Sequence, residues 1–271
     1  MQLTRREFLM LGVVTAAVSA MPCGRLMATE RTNYYLNNKK ELLGAFIGTL
    51  EGVRVFLEPE LGKERTQQVI NSALKGFEAM LPSLPDVGGD RNWGTQYLPV
   101  AAWYVALYEP MKACGKTAED VGKLVYDLRK YELDHTSKDV LAKQGKELFG
   151  LPRVKEMRAW AAWTQKREYP ANWVATFLDG DGENFDFGYN YSECGLVKFF
   201  EAHGVPELAP YVCLNDFTQS KAQGTGLERS KTIAQGDGFC NFRYKQGRPV
   251  KQNWDSEIAY IRKQMAGRSR K

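Results

Sequence analysis

Histidine is almost missing: a chain of 271 residues has two, His135 and His203. A histidine-rich metal centre is thereby excluded, and a Ser-His-Asp triad has no recognisable support. The five cysteines form no C-x-x-C pair, which removes the usual zinc-finger and dithiol spacings. There is no P-loop, no RNA-binding module and no internal repeat. The longest apolar run lies near the N-terminus and is short for a membrane span, which needs about 20 residues. An excess of one charge is also lacking. The formal charge is +5 and the pI about 8.8, spread through the chain. The densest basic stretch, "RKQMAGRSRK", reads as a solvated tail, and no nucleic-acid partner is expected.

What is present is a folding globular composition, 44% hydrophobic and 25% charged. Six Trp, thirteen Tyr and thirteen Phe supply packing surface or a ligand pocket. The N-terminal "TRREFLMLGVVTAAVSA" sets Arg5 and Arg6 ahead of Phe8, Leu9 and an apolar stretch. It reads as a twin-arginine export signal over residues 1–20, cleaved after Ala20, with an uncleaved anchor as the alternative. Cys23 follows Met and Pro, a poor lipidation context. The expected location is the periplasm, reached through the twin-arginine export machinery, with a mature chain that does not span the membrane. That route favours proteins loaded with a cofactor before export. It also leads to an oxidising compartment where disulfides are permitted. An odd number of cysteines leaves at least one unpaired or paired with another chain.

Residues 21–38 are polar and unpatterned, a leader to the mature fold. From 39 to 169 the apolar spacing is helical, with a restart after Pro59, a buried helix in "YLPVAAWYVALYEPMKACG" and a capping box at Thr117 and Asp120. From 170 to 271 the period changes. Strands are expected at 173–178, 185–191, 227–234 and 239–245, with the last two forming a hairpin around Gly236–Gly238 and two helices crossing the sheet. The fold class is α+β: an N-terminal helical layer packed against a C-terminal antiparallel sheet. Asp179 to Glu183 resembles a calcium loop but lacks its twelve-residue spacing, and reads as a turn.

The stretch from Phe187 to Tyr244 carries a distinctive order: aromatic Phe187 to Tyr191, Cys194 at a helix start, Gly204 with Pro206-Glu207-Leu208, Cys213 with Asp216, then Gly236-Asp237 with Cys240 and Phe242. In this order it resembles the L-2-amino-thiazoline-4-carboxylic acid hydrolase family. Its ending also resembles the small-molecule-binding domain related to 4-vinyl reductase. The first resemblance implies a hydrolase that opens a C–N or C–S bond of a small thiazoline- or amidine-like substrate.

The residues themselves leave several chemistries open. Cys194 at a helix N-terminus is expected to have a stabilised thiolate and to attack an amidine-like carbon. Cys213 and Asp216, three apart, share a helix face, with Asp216 orienting or protonating a nitrogen. Cys240 beside the turn completes a set expected to converge on one pocket, with Cys23 and Cys114 outside it. The same three thiolates, with Asp216 or His203, would suit zinc, another soft metal or an iron–sulfur cluster, although the spacing C-x18-C-x26-C is weak support. On that alternative the protein is a periplasmic metal- or small-ligand-binding protein. A disulfide between two of the thiols is a further alternative. Tyr189, Tyr191 and Phe242 are candidates to line a substrate pocket, and Arg229 or Arg243 to pair with a substrate carboxylate. The plain readings are a core of small apolar thiols, a structural Asp237 in its turn, cross-strand arginines, and histidines at helix ends.

Overall fold

The computed structural model describes residues 33–268. The twin-arginine segment, Cys23 and most of the leader lie outside the described residues. The leader's expected end belongs to the fold. Helix α1 (Tyr34–Asn37) is capped by Asn33, whose side-chain oxygen accepts from the amides of Tyr35 and Leu36. The Asn33 side-chain amide in turn donates to the Pro82 carbonyl at 3.1 Å.

Helix α2 (Lys39–Met80) is two helical arms. Dihedrals stay helical through Pro59 and depart only at Gly62, with φ 77° and ψ 162°. Glycine alone takes that region readily, so the break falls at Gly62 rather than at the proline expected to cause it. Helix α3 (Tyr97–Lys112) is central: Leu98, Ala101, Ala102, Tyr104, Leu107 and Met111 are all buried. It packs on α2, on α4 (Ala118–Asp134) and on α7 (Gly195–Ala202). Thr117 and Asp120 close the capping box of α4. Helices α5 (Lys138–Leu148) and α6 (Leu151–Thr164) complete the helical layer. Among the described residues no helix is long and apolar enough to cross a membrane.

The sheet is antiparallel throughout, in the order β1-β2-β4-β3. Its strands are β1 (Val174–Asp179), β2 (Phe187–Glu193), β3 (Leu227–Glu228) and β4 (Cys240–Tyr244). The fold is therefore α+β, helices first and sheet after. Between β2 and β3 run α7, the short α8 (Ala209–Val212) and α9 (Asn215–Gln223), and α10 (Trp254–Arg268) closes the described chain. The β2–β4 register pairs Phe187 with Tyr244, Tyr189 with Phe242 and Tyr191 with Cys240, so one sheet face is a field of rings. At the β1–β2 turn, the Asn184 side-chain and backbone amides hold the Asp181 carboxyl down at about 2.

The expected hairpin strand over 227–234 is largely absent. Side chains take its backbone donors: the Asn241 carbonyl oxygen accepts from Ser230 and Lys231, and the Asp237 carboxylate accepts from Thr232. A 3-10 turn at Ile233–Gln235 follows. Asp237 is thus engaged in shaping this loop.

Candidate active site

Two adjoining cavities lie between the helical layer and the ring-covered sheet face. An inner chamber of about 260 Å³ is lined by Cys194, Cys213, Cys240, Asp216, Arg229, Tyr191 and Phe242, among others. An outer chamber of about 490 Å³ is lined by Tyr189 and Tyr191 on the sheet side and by Arg153 on the helical side. Trp93, Tyr97, Tyr191, Asp216, Gln219 and Tyr244 border both. The structure thus brings the three motif cysteines and Asp216 to one chamber, while Cys114 lines neither.

Cys194 sits where β2 gives way to α7, as the N-cap with φ −121° and ψ 118°. Ser192 lies on the strand β2. Glycine follows because little else fits: a Cβ on Gly195 would stand 2.8 Å from the Trp173 ring and 2.9 Å from the Ala171 carbonyl oxygen. The expectation of a lowered thiol pKa does not hold. Burial pushes the Cys194 thiol up to about 12, outweighing the backbone amides of Val197 and Leu196 that favour the thiolate. Cys194 is a neutral thiol at rest.

Cys213 and Cys240 meet across the buried Thr232. The Cys240 thiol donates to the Thr232 hydroxyl at 3.6 Å and accepts the Ile233 amide at 3.3 Å. The Cys213 sulfur lies 3.8 Å from the same hydroxyl. Burial raises both thiols. Cys114, Cys194, Cys213 and Cys240 are all free, so the expected disulfide alternative is not formed among the described residues. Nor do three or more His, Cys, Asp or Glu side chains there group so as to hold a metal ion. The three sulfurs line one chamber without forming a ligand set. His203 closes the far end of α7, its Nδ1 2.8 Å from the Phe199 carbonyl oxygen, and His135 does the same at the end of α4.

Arg229 does not wait for a substrate carboxylate. Its Nη1 donates to Asp216 at 2.5 Å and its Nη2 to the Cys213 carbonyl at 2.9 Å. Its guanidinium lies over the rings of Phe217 and Phe242, at 4.7 and 4.9 Å from their centroids. Gln252 clasps the Arg229 backbone from both sides. The side-chain exposure is unequal, 3% for Arg229 and 43% for Asp216. Asp216 sits deep in the molecule yet faces open chamber space. Burial raises its carboxyl, against the lowering pull of Arg229. The other candidate cation, Arg243, donates to the Tyr189 carbonyl and the Asn190 side chain.

Other site residues carry no sequence signal beyond a high aromatic content. Arg129 pairs with Glu132 at 3.0 Å and donates to Gln219. The Asn215 side-chain amide donates to the buried Tyr104 hydroxyl at 2.6 Å. Four buried polar atoms around the chambers have no partner: Asn215 Oδ1, Trp93 Nε1, Trp103 Nε1 and the Tyr189 hydroxyl. Orphaned groups of this kind cost stability unless something else completes them.

Residues 97–244, more than half of the chain, match the family model described as L-2-amino-thiazoline-4-carboxylic acid hydrolase. The span begins at the first residue of α3 and ends at the last residue of β4. No curated protein and no solved structure matches the chain.

Proposed function

The chain belongs to the L-2-amino-thiazoline-4-carboxylic acid hydrolase family, and from that premise we propose that it is a thiol-dependent hydrolase opening a C–N or C–S bond in a small thiazoline- or amidine-like substrate. The observation that carries this reading is the placing of Cys194, at the N-terminus of α7, and Asp216 on one inner chamber.

The reaction needs a nucleophile for an electron-poor carbon and a group that takes and returns a proton. The Cys194 sulfur bonds to the substrate carbon as its proton passes to the Asp216 carboxylate. Asp216 then gives that proton to the departing nitrogen or sulfur as the C–N or C–S bond breaks. Water attacks the carbon held on Cys194, delivering hydroxyl to the carbon and a proton to Asp216. The Cys194–carbon bond breaks and the sulfur recovers the proton from Asp216. The raised Cys194 thiol fits this order, because deprotonation accompanies attack instead of preceding it. The amides of Leu196 and Val197 stabilise negative charge on the sulfur as the proton leaves. Arg229 holds Asp216 in place and favours its ionised form.

On the same proposal this chemistry takes place in the periplasm, a reading supported by the Arg5–Arg6 pair. Ring opening of 2-amino-thiazoline-4-carboxylate by the purified protein is the direct test. Cys194→Ala is expected to lower the rate at least about 1,000-fold, as loss of a covalent nucleophile does, with the thermal midpoint little changed. Full activity in that variant sinks the nucleophile assignment.

A further inference from the structure

The family's namesake substrate carries a carboxylate, and Cys194 and Asp216 account only for its ring. In 2-amino-thiazoline-4-carboxylate the carbon that bears the carboxylate is two bonds from the one set between nitrogen and sulfur, which Cys194 attacks. Cys194 lines the inner chamber and not the outer one. With the ring placed for attack, the carboxylate therefore stays in the inner chamber or at its mouth.

Among the described residues, the cations that line the inner chamber are Arg129 and Arg229, with no lysine or histidine. Arg229 is committed to Asp216 and the Cys213 carbonyl and lies over two rings, with 3% of its side chain exposed. Arg129 on α4 is held more loosely. Its Nη1 donates to one oxygen of Glu132 at 3.0 Å, and its Nη2 donates to the Gln219 side-chain oxygen on α9. Neither contact engages Nε, and 14% of the side chain is exposed. A guanidinium fork with N–H groups to spare can seat a further carboxylate. The charge also reaches the chamber: it acts on the Tyr97 hydroxyl against the rise that burial causes, and Tyr97 borders both chambers. Burial raises the Glu132 carboxyl despite the pull of Arg129, which makes Glu132 a weak rival for the guanidinium.

Gln219 adds a second donor. Arginine only donates, so Gln219 turns its oxygen to Arg129. Its amide nitrogen then points away from Arg129, on a residue that borders both chambers. Gln219 stands three residues after Asp216 on α9, so the two share a helix face.

We propose that Arg129, assisted by the Gln219 amide, receives the substrate carboxylate. The amidine-like end of the ring then lies at Asp216. Each ion pair of the chamber meets one end of the substrate: Asp216, the more exposed member of its pair, faces the basic end, and Arg129 the acidic end. The inference deepens the hydrolase reading and rests on it for the identity of the ring.

Calorimetry on the full chain carrying Cys194→Ala, so that the ring stays closed, compares 2-amino-thiazoline-4-carboxylate with 2-amino-thiazoline, the same ring without the carboxylate. The acid is expected to bind at least about ten-fold tighter. Arg129→Met is expected to abolish that difference by weakening the acid alone, and Arg129→Lys to restore part of it. Arg153→Met, which removes the cation of the outer chamber, is expected to leave the acid unchanged. Should Arg129→Met fail to fold because Glu132 is stranded, Arg129→Met with Glu132→Gln removes both charges and carries the same expectations. Equal weakening of both ligands by the Arg129 variants leaves Arg129 a packing residue and overturns the proposal. So does an acid that binds no tighter than the bare ring, or one weakened by Arg153→Met instead. Ring opening by the chain with Cys194 intact separates the two readings. There Arg129→Met is expected to raise KM for the acid and largely keep kcat. Opening that Arg129→Met leaves untouched overturns the carboxylate assignment and keeps the hydrolase. Arg129-dependent binding of an acid that is never opened overturns the hydrolase and keeps the carboxylate assignment.

Discussion

Arg229 holds a permanent charge with only 3% of its side chain exposed, and Asp216 is its ionic partner. Removing one member of such a pair costs about 3 kcal/mol or more when the survivor stays buried. Asp216→Asn strands the shielded arginine and is expected to approach that cost, offset in part by the Cys213 carbonyl and the two flanking rings. Arg229→Met leaves Asp216 without the group that pulls its carboxyl down, so the carboxyl rises further. Two consequences differ in sign from a packing effect. The acid limb of the kcat/KM profile moves to higher pH, because the proton acceptor must be ionised. The stability deficit is largest at neutral pH and shrinks in acid, because a carboxyl raised in the folded state favours folding when protonated and loses that contribution as pH rises through its folded value. Arg229→Lys keeps the charge and is expected to keep the limb near its original position. A lowered rate with an unmoved limb in Arg229→Met would leave Arg229 a packing residue. The residue types of this site were legible as a set, since the motif order put three cysteines and an acid together. The pairing was not. Nothing in "GLERS" distinguishes an arginine that meets a substrate from one that meets Asp216 across a helix, and the helix-terminus argument for Cys194 omitted the burial that overrides it.

Helix α9 owes its position to a glycine on another helix. A Cβ on Gly145 of α5 would stand 1.9 Å from the Gln223 carbonyl oxygen at the end of α9. That oxygen is backbone and cannot swing away, so Gly145→Ala must displace α9, whose first turn carries Asn215 and Asp216. Overpacking of this kind costs about 1–3 kcal/mol. Activity is expected to fall beyond what the thermal midpoint predicts, because the acid moves relative to Cys194 on α7. Gly48→Ala on α2 is the control: nothing lies within 4 Å of the added methyl, and removing a mid-helix glycine stabilises by about 0.5–1 kcal/mol. Equal and small effects from the two substitutions would show that α9 is not held by this contact. Elements were readable where one local signal dominated, as in the apolar run of α3, the capping box of α4 and the alternating rings of β2. They were not readable where a side chain replaced a backbone partner. The Asn241 oxygen that accepts from Ser230 and Lys231 looks, in sequence, like any strand asparagine. With Gln252, which takes the Arg229 backbone on both sides, it leaves no ladder donors beyond Glu228, where β3 stops.

At the scale of the whole molecule the described fold begins at Asn33, which caps α1 and is tied to the Pro82 carbonyl. Among the described residues the site is built downstream of that point, and loss of residues 1–20 is expected to leave it intact. If the proposed export delivers the chain to an oxidising compartment, the layered core is expected to protect the thiols there. Cys240 is 5% exposed, and burial holds Cys194, Cys213 and Cys240 as protonated thiols, while exchange and oxidation proceed through the thiolate. A folded chain carried across a membrane keeps these groups shielded throughout. A chain threaded unfolded would expose them together with Cys114. Export in the folded state, by the route that reads Arg5 and Arg6, is therefore the expectation consistent with an active free thiol. Replacing both arginines with lysine is expected to retain the precursor inside the cell, folded and active in lysate. Protein recovered from the periplasm of the parent strain is expected to show the same number of titratable thiols with and without reductant once denatured. Unchanged export of the lysine variant removes the signal assignment. Periplasmic protein that gains two thiols on reduction shows that a disulfide forms after export, and with it that shielding does not protect the site.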